Sequence, residues 1–348
     1  MASSTTAEIH LSDLRDSNAP RPVSITDVKH LSSYNWIEGT TPAIAVPGLP
    51  RLWTPPKGSQ RLQKDSGLVY IAENSARHPA SPIEPLFRSL LMTHPSFNLG
   101  SVDVITDRNN IRKLLQFVNP DRGTYEAKAF TINVELVKDT AIFGRTEPVI
   151  SEHIAPHEFR GYGHQFEEKY TTSKLSGYSG HFRIISYRFC SMNFIVRHET
   201  DGYIEGAGYR EQEGDGLSDL MGHLSLTSKT SSPNIIMSGT GLRVEGKGHA
   251  VPLASTLEIK TRTRNKPLTI DEVAPQLWVS QTPNLVRAYH DRGTFVEPIV
   301  EDVSYNIRRW EATNQSDLMK LGGLIEQIVQ FAKNFGGKAT VKYNIGTK

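Results

Sequence analysis

The feature that most constrains this chain is an apolar alternation of period two that keeps returning through its middle. Phe130, Ile132, Val134 and Leu136 alternate with polar residues, Val102 and Val104 repeat the pattern on a smaller scale, and short apolar runs follow at 182–184, 194–196 and 257–259. Successive side chains of a strand point to opposite faces, so these runs predict half-buried β-strands. A helical period appears twice. Ser81-Pro82 precedes Leu86, Phe87, Leu90 and Leu91, which share one side of a helix that must end near Pro95. Leu318, Leu321, Leu324, Ile325, Ile328, Val329 and Ala332 recur behind Ser316 and predict a C-terminal amphipathic helix stopped at Gly336-Gly337. Strands and helices mixed along one chain, without an internal repeat, predict an α/β (α+β mixed) domain with a central mixed sheet flanked by helices.

Boundaries follow from local composition. Residues 1–24 are rich in Ser, Thr, Asp and Asn and carry Pro20 and Pro22, the pattern of a flexible arm. The five prolines between Tyr34 and Pro56 require extended segments and turns around Trp36 and Trp53. Residues 202–254 are dense in Gly, Ser and Thr and read as an inserted loop or hairpin within a domain over 25–335, with 336–348 as a C-terminal tail. At 348 residues and 37% hydrophobic content, the chain can fill a core of this size. It has no run of roughly 20 apolar residues and no apolar leader, so the expectation is an intracellular protein, nuclear or cytoplasmic, with no membrane partner.

Several chemistries are unsupported. Cys190 is the single cysteine, which excludes an intrachain disulfide and a cysteine-based zinc site. A net charge of +2 excludes bulk polycationic binding of nucleic acid, so any such binding must rest on local patches. Gly241-Leu-Arg-Val-Glu-Gly-Lys247 has the spacing of a phosphate loop, but Gly248 stands where a hydroxyl should hold magnesium and Pro252 opposes a following helix. His153 and His157 are four apart, with Pro156 between them to break a helix. No Gly-x-Ser-x-Gly elbow occurs, and Cys190 lies in an apolar, strand-like run.

The acidic residues are more informative. Glu258-Ile-Lys260 sits in a strand pattern where Leu257 and Ile259 face the core and Glu258 and Lys260 share the opposite face. Glu199-Thr-Asp201 ends the apolar strand beginning at Asn193, so its two carboxylates project from a rigid support. Hydrolysing a phosphodiester needs charge neutralisation on the phosphoryl group, an activated water and help for the leaving oxygen. Hard divalent cations roughly 3.5–4 Å apart on carboxylates supply all three, and a lysine beside them can hold the water. These strands therefore admit a metal-dependent nuclease of the acid-x-Lys, PD-(D/E)XK-like class; the plain alternative is surface salt bridges.

Read in order, the chain resembles the DXO/RAI family of RNA 5′-end decapping nucleases. Thr106-Asp-Arg108, followed by Lys113-Leu-Leu, resembles that family's arginine motif. Gly161-Tyr-Gly-His-Gln-Phe166-Glu167 is similar to its Gly-Tyr-x-Phe-Glu motif with one residue added. Ile195 to Gly202 resembles its Glu-x-Asp strand, Leu257 to Thr261 its Glu-x-Lys-Thr strand, and Leu277-Trp278-Val-Ser-Gln281 its Trp-x-x-Gln helix. The likeness runs over about residues 30 to 330. It implies a single nuclease domain in which Glu167, Glu199, Asp201 and Glu258, with the backbone oxygen of Ile259, bind Mg²⁺ or Mn²⁺ as a pair of ions. It further implies that Lys260 acts at the nucleophilic water and that Arg108 and Gln281 contact substrate. The expected activity is removal of abnormal RNA 5′ ends, namely triphosphate, unmethylated or NAD-type caps, with 5′-3′ exonuclease activity and an exoribonuclease as a partner. Three departures stand out: the long 202–254 segment, Asp107 in place of an aromatic, and Asn109 in place of a glycine. A DNA-directed nuclease and a non-catalytic exoribonuclease partner are the rival readings.

Overall fold

The alternation becomes one large twisted sheet in the computed structural model, which describes residues 8–120, 128–206, 235–236 and 241–344. Its principal strands are β1 (Thr26–Ile37), β2 (Ala43–Gly48), β3 (Val104–Asp107), β4 (Phe130–Val137), β5 (Thr140–Thr146), β6 (Tyr178–Phe189), β7 (Met192–Glu199), β8 (Arg243–Gly248), β9 (Thr256–Thr263), β10 (Asn284–Asp291) and β11 (Lys338–Tyr343). The principal helices are α1 (Glu84–Thr93), α2 (Arg108–Val118), α3 (Gly163–Tyr170), α4 (Ile270–Ser280), α5 (Ser304–Thr313) and α6 (Gln315–Asn334).

The large sheet runs β8-β2-β1-β6-β7-β3-β5-β4-β11, with the short strand Ile235–Ile236 outside β8. Antiparallel and parallel pairs mix: β6 pairs antiparallel with β7, and β7 pairs parallel with β3. One face buries Tyr34, Trp36, Ile105, Ile184 and Ile195 under Leu86 and Leu90 of α1. The other packs against α2, α4, α5 and α6 through residues such as Ile111, Leu277, Trp310, Leu321 and Ile325. Cover on both faces of the sheet is why consecutive residues are buried over 181–185 of β6 and 194–198 of β7. A second sheet pairs β9 in parallel with β10, and the short strand Gly202–Tyr203 adds antiparallel to β9. Its apolar face, with Leu257, Ile259 and Val286, stacks on Phe166 and Tyr170 of α3. Among the described residues no helix is long and apolar enough to cross a membrane.

Two expectations need correction, the free N-terminal arm and the C-terminal tail. Residues 8–24 are not a free arm. The Ser17 amide donates to the Met319 carbonyl at 3.0 Å, Val23 is buried, and the Gly323 position in α6 leaves no room for a Cβ because the Arg15 carbonyl lies against it. Residues 1–7 lie outside the described residues. The segment after Gly336 and Gly337, both with φ +81°, is not a tail but β11, which pairs antiparallel with β4 and extends the sheet. Lys-Ala-Thr-Val-Lys-Tyr alternates with period two over only six residues, too short to register against the helix before it. Within the 202–254 segment, residues 243–248 form β8, parallel to β2, and only 207–234 and 237–240 lie outside the described residues. Arg243 to Lys247 of the loop-like Gly-x-x-x-x-Gly-Lys run lie in that strand, so the run opens no helix.

Candidate active site

The site forms where the chain crosses from the large sheet to the second one. Buried Phe194, Ile195 and Val196 hold β7 in the core up to Glu199; three residues later Gly202 pairs with Leu257 of β9. A Cβ at Gly202 would stand 2.9 Å from the Arg51 carbonyl oxygen, so the crossing needs a glycine. Asp201 is fixed at the junction, its Oδ2 accepting the Ile259 amide at 2.7 Å.

On β9 the side chains divide as the pattern predicts: Leu257 and Ile259 enter the second core, and Glu258 turns the other way. Glu258 is 2% exposed and is surrounded by donors. Lys260 Nζ donates to its Oε1 at 2.6 Å, Arg108 Nη1 to its Oε2 at 3.2 Å, and Gln276 Nε2 of α4 also donates to Oε1. Glu167 comes from α3, whose Phe166 and Tyr170 stack with ring centroids 3.9 Å apart. The first turn of α3 is oriented by buried Asp65, whose Oδ1 accepts the Gln165 amide at 3.0 Å.

Charge divides the acids. Burial would raise the pKa of Glu258, but Lys260 and Arg108 outweigh it and hold the carboxyl at about 2. Asp201 is pushed to about 8, first by burial and then by the Glu258 charge. Glu199 rises to about 7 through crowding by protein atoms and the Glu73 carboxylate, even though its side chain keeps an exposed edge. Glu167 rises well above the usual carboxylate range through burial, Asp201 and Glu199. Lys260 is raised, Glu258 and Asp201 overcoming its burial. Four carboxylates thus converge with too little positive charge to ionise them all, the condition a bound cation relieves.

The donors are oxygens only, which suits hard Mg²⁺- or Mn²⁺-type ions better than zinc. Among the described residues no three acidic, histidine or cysteine side chains stand close enough to make a ready cation shell. Glu258 is instead engaged by Lys260, Arg108 and Gln276, so ion binding would require these side chains to adjust.

The two departures in the arginine motif have structural uses. Asp107 forms a buried bidentate pair with Arg197 at 2.7 and 2.9 Å, tying the start of α2 to the strand that ends in Glu199. Asn109 donates to Glu147 at 3.0 Å, and Glu147 also holds Lys113 and Arg145, each at 2.8 Å. Gln281 is not in the site. It caps α4 with φ 53°, and its side-chain nitrogen donates to the Trp278 carbonyl. Gln276 occupies the position against Glu258, five residues earlier. Its signal in the sequence is a glutamine among apolar positions of a buried helix, visible only once α4 is known to face β9. His153 lies on an exposed strand position, and Cys190 sits in the β6–β7 turn with its thiol pushed up to about 12 by burial.

The architecture is that of the Rai1 structures. The chain superposes on Schizosaccharomyces pombe (S. pombe) Rai1 with a TM-score of 0.58 at 12% identity, covering 96% of this chain and 95% of that one. It superposes on Scheffersomyces stipitis Rai1 in complex with (3'-NADP)+ and calcium ion with a TM-score of 0.58 at 13% identity, covering 97% and 91%. With Candida albicans Rai1 in complex with pU5-Mn2+ the TM-score is 0.52 at 9% identity, covering 98% and 90%. No curated protein matches the chain in sequence. The chain belongs to the family of the domain of unknown function DUF8563, whose model matches residues 9–345.

Proposed function

We propose that this chain is a metal-dependent hydrolase of RNA 5′ ends, a distant relative of the DXO/RAI decapping nucleases. The observation that carries this reading is the convergence of Glu167, Glu199, Asp201 and Glu258 with Lys260 at the crossing between the two sheets. The fold adds support, since similar structures hold pU5-Mn2+ in one case and (3'-NADP)+ with calcium ion in another. In this reading the four carboxylates and the Ile259 carbonyl hold one or two Mg²⁺ or Mn²⁺ ions. Such ions would supply charge neutralisation and acidify a water when bound.

The chain's own groups do the rest. Lys260 Nζ donates to the attacking water and orients it beside Glu258. Arg108, which holds Glu258 at 3.2 Å, is the guanidinium that would donate to a substrate phosphate oxygen. Gln276 fixes Glu258, taking over the role expected of Gln281. The substrates are RNAs with triphosphate, unmethylated-cap or NAD-type ends in the nucleus or cytoplasm, with 5′-3′ degradation and an exoribonuclease partner as part of the same proposal. Incubating 5′-triphosphate, cap-analogue and NAD-capped RNAs, and a matched DNA, with Mn²⁺ tests it. RNA cleavage by the wild type, lowered about 10³-fold by Glu258→Ala as for loss of a group acting only in the transition state, is expected. No cleavage of any RNA, equal cleavage by the variant, or a preference for DNA rejects it.

A further inference from the structure

Three neighbouring strands of the large sheet bring buried basic side chains to one face. Ser33 of β1 pairs with Arg183 of β6, and Arg183 pairs in turn with His198 of β7. On either side along β6, His181 opposes Asn35 and Ile185 opposes His30. Residues directly opposite in an antiparallel pair share a face with Cβ atoms about 5 Å apart, and residues two apart on one strand share it too. This face is closed to solvent: Arg183 is 0% exposed, His181 4% and His198 3%.

Hydrogen bonding across the face is uneven. The Ser33 hydroxyl donates to the Pro47 carbonyl at 2.8 Å, and Asn35 Oδ1 accepts the Leu49 amide at 2.7 Å. Arg183 is served at one nitrogen only. Its Nη1 donates to the Val251 carbonyl at 3.1 Å, but Nε and Nη2, the edge that grips a planar oxyanion, have no acceptor. No carboxylate pairs with Arg183 among the described residues. A guanidinium stripped of water is costly unless an anion meets it.

The histidines add a second demand. His181 Nδ1 lies 3.0 Å from Asn35 Oδ1 and His198 Nδ1 lies 3.2 Å from the Glu199 carbonyl oxygen, so each ring donates through Nδ1. Burial, then the charges of Arg183, His30 and His198, hold His181 well below the usual histidine range, which leaves its Nε2 a bare lone pair. The Nε2 atoms of His30, His181 and His198 all lack a partner. A metal ion would satisfy such lone pairs but would be repelled by the guanidinium. A halide or nitrate would satisfy the guanidinium but would set lone pair against lone pair. A planar, singly charged oxyanion that also bears a hydroxyl answers both: two oxygens accept from Arg183 Nε and Nη2, and the hydroxyl donates to an imidazole.

We propose that the buried face around Arg183 and His181 binds bicarbonate, the simplest oxyanion of this kind. The site shares no residue with the proposed ion ligands. His198 and Glu199 are consecutive on β7 and point to opposite faces, so the anion is held behind the strand that delivers the site acids.

The test follows the thermal midpoint of the full chain at pH 8 and fixed ionic strength, without divalent ions, as bicarbonate, nitrate or chloride is added. Bicarbonate at about 100-fold above its Kd should raise the midpoint by about 4 °C, as binding to the folded state alone requires. Chloride, and nitrate with the same planar fork but no hydroxyl, should raise it by less than about 1 °C. Arg183→Met should abolish the rise and His181→Phe should reduce it. No bicarbonate effect, an equal effect of nitrate or chloride, or an unchanged effect in a folded Arg183→Met overturns the assignment. A crystal structure of the wild type grown in bicarbonate needs no variant. Planar density within hydrogen-bonding distance of Arg183 Nε and Nη2 and of His181 Nε2 is expected, and water or chloride in that place overturns the proposal.

Discussion

Two strands deliver acids to the same place, and their acids behave in opposite ways. On β9, Glu258 is enclosed by Lys260, Arg108 and Gln276 and is held at about 2. At the end of β7, Glu199 and Asp201 face other carboxylates and rise to about 7 and about 8. Burial pushes all of them upward; the difference lies in which charges the neighbouring elements supply. Glu258 has its counter-charges inside the protein, whereas in the proposed function Glu199, Asp201 and Glu167 would be matched by a bound cation.

The largest effect should come from loosening β7. Arg197 is buried, engages Asp107 through two contacts and also donates to the Pro82 carbonyl at 2.7 Å. Arg197→Ala leaves Asp107 buried and unpaired, so equilibrium denaturation should show a loss of about 3–5 kcal/mol. A loss below about 1 kcal/mol, the scale of an exposed pair, would mean that this pair does not lock the strand.

The pH dependence separates the two strands without mutation. For Asp201, whose folded pKa of about 8 lies above its unfolded value, the folded protein retains a proton that the unfolded chain has lost. Stability without divalent ions should be fullest below pH 4 and should decline as pH rises toward 8 from this group and from Glu199. Glu258 acts with the opposite sign: its contribution is present above the normal glutamate pKa and is lost as pH falls toward about 2. Mn²⁺ binds the ionised carboxylates, so it should raise the thermal midpoint more at pH 8 than at pH 5.5. An equal shift at both values would contradict the idea that the β7 acids await a cation.

The smallest effects compare two glutamines of α4. Gln276→Ala removes a donor from Glu258 and should slow cleavage about tenfold, the cost of one hydrogen bond to a charged group. Gln281→Ala touches only the end of the helix and should leave the rate within about twofold. Reversed magnitudes in the same kinetic assay would restore Gln281 to the site.

What could be read in advance follows the range of the signal. Glu199, Asp201, Glu258 and Lys260 were legible because alternation assigns a strand residue to a face using only its neighbours. Arg108 was legible through its motif, which sits at the junction of a strand and a helix. Gln276 was not, because the residue that a helix turns toward β9 depends on how α4 is rotated in the core. Asp107 looked like a departure from a motif until Arg197, ninety residues away, supplied its partner. The N-terminal segment looked free because its composition is polar, yet Ser17 and Val23 are secured by backbone and side-chain bonds to α6.

The sequence by itself determined the mixed strand and helix pattern, the faces of β7 and β9, and the presence of enough carboxylates and a lysine for cation chemistry. These are properties of short repeats, set by backbone geometry and independent of distant partners. Only the tertiary structure decided which acid is neutralised and which are left charged-poor, that β11 extends the large sheet, and that Arg183 is buried with no carboxylate partner among the described residues. Those outcomes depend on Coulomb interactions and packing between elements far apart in the chain, where each distance is set by the fold.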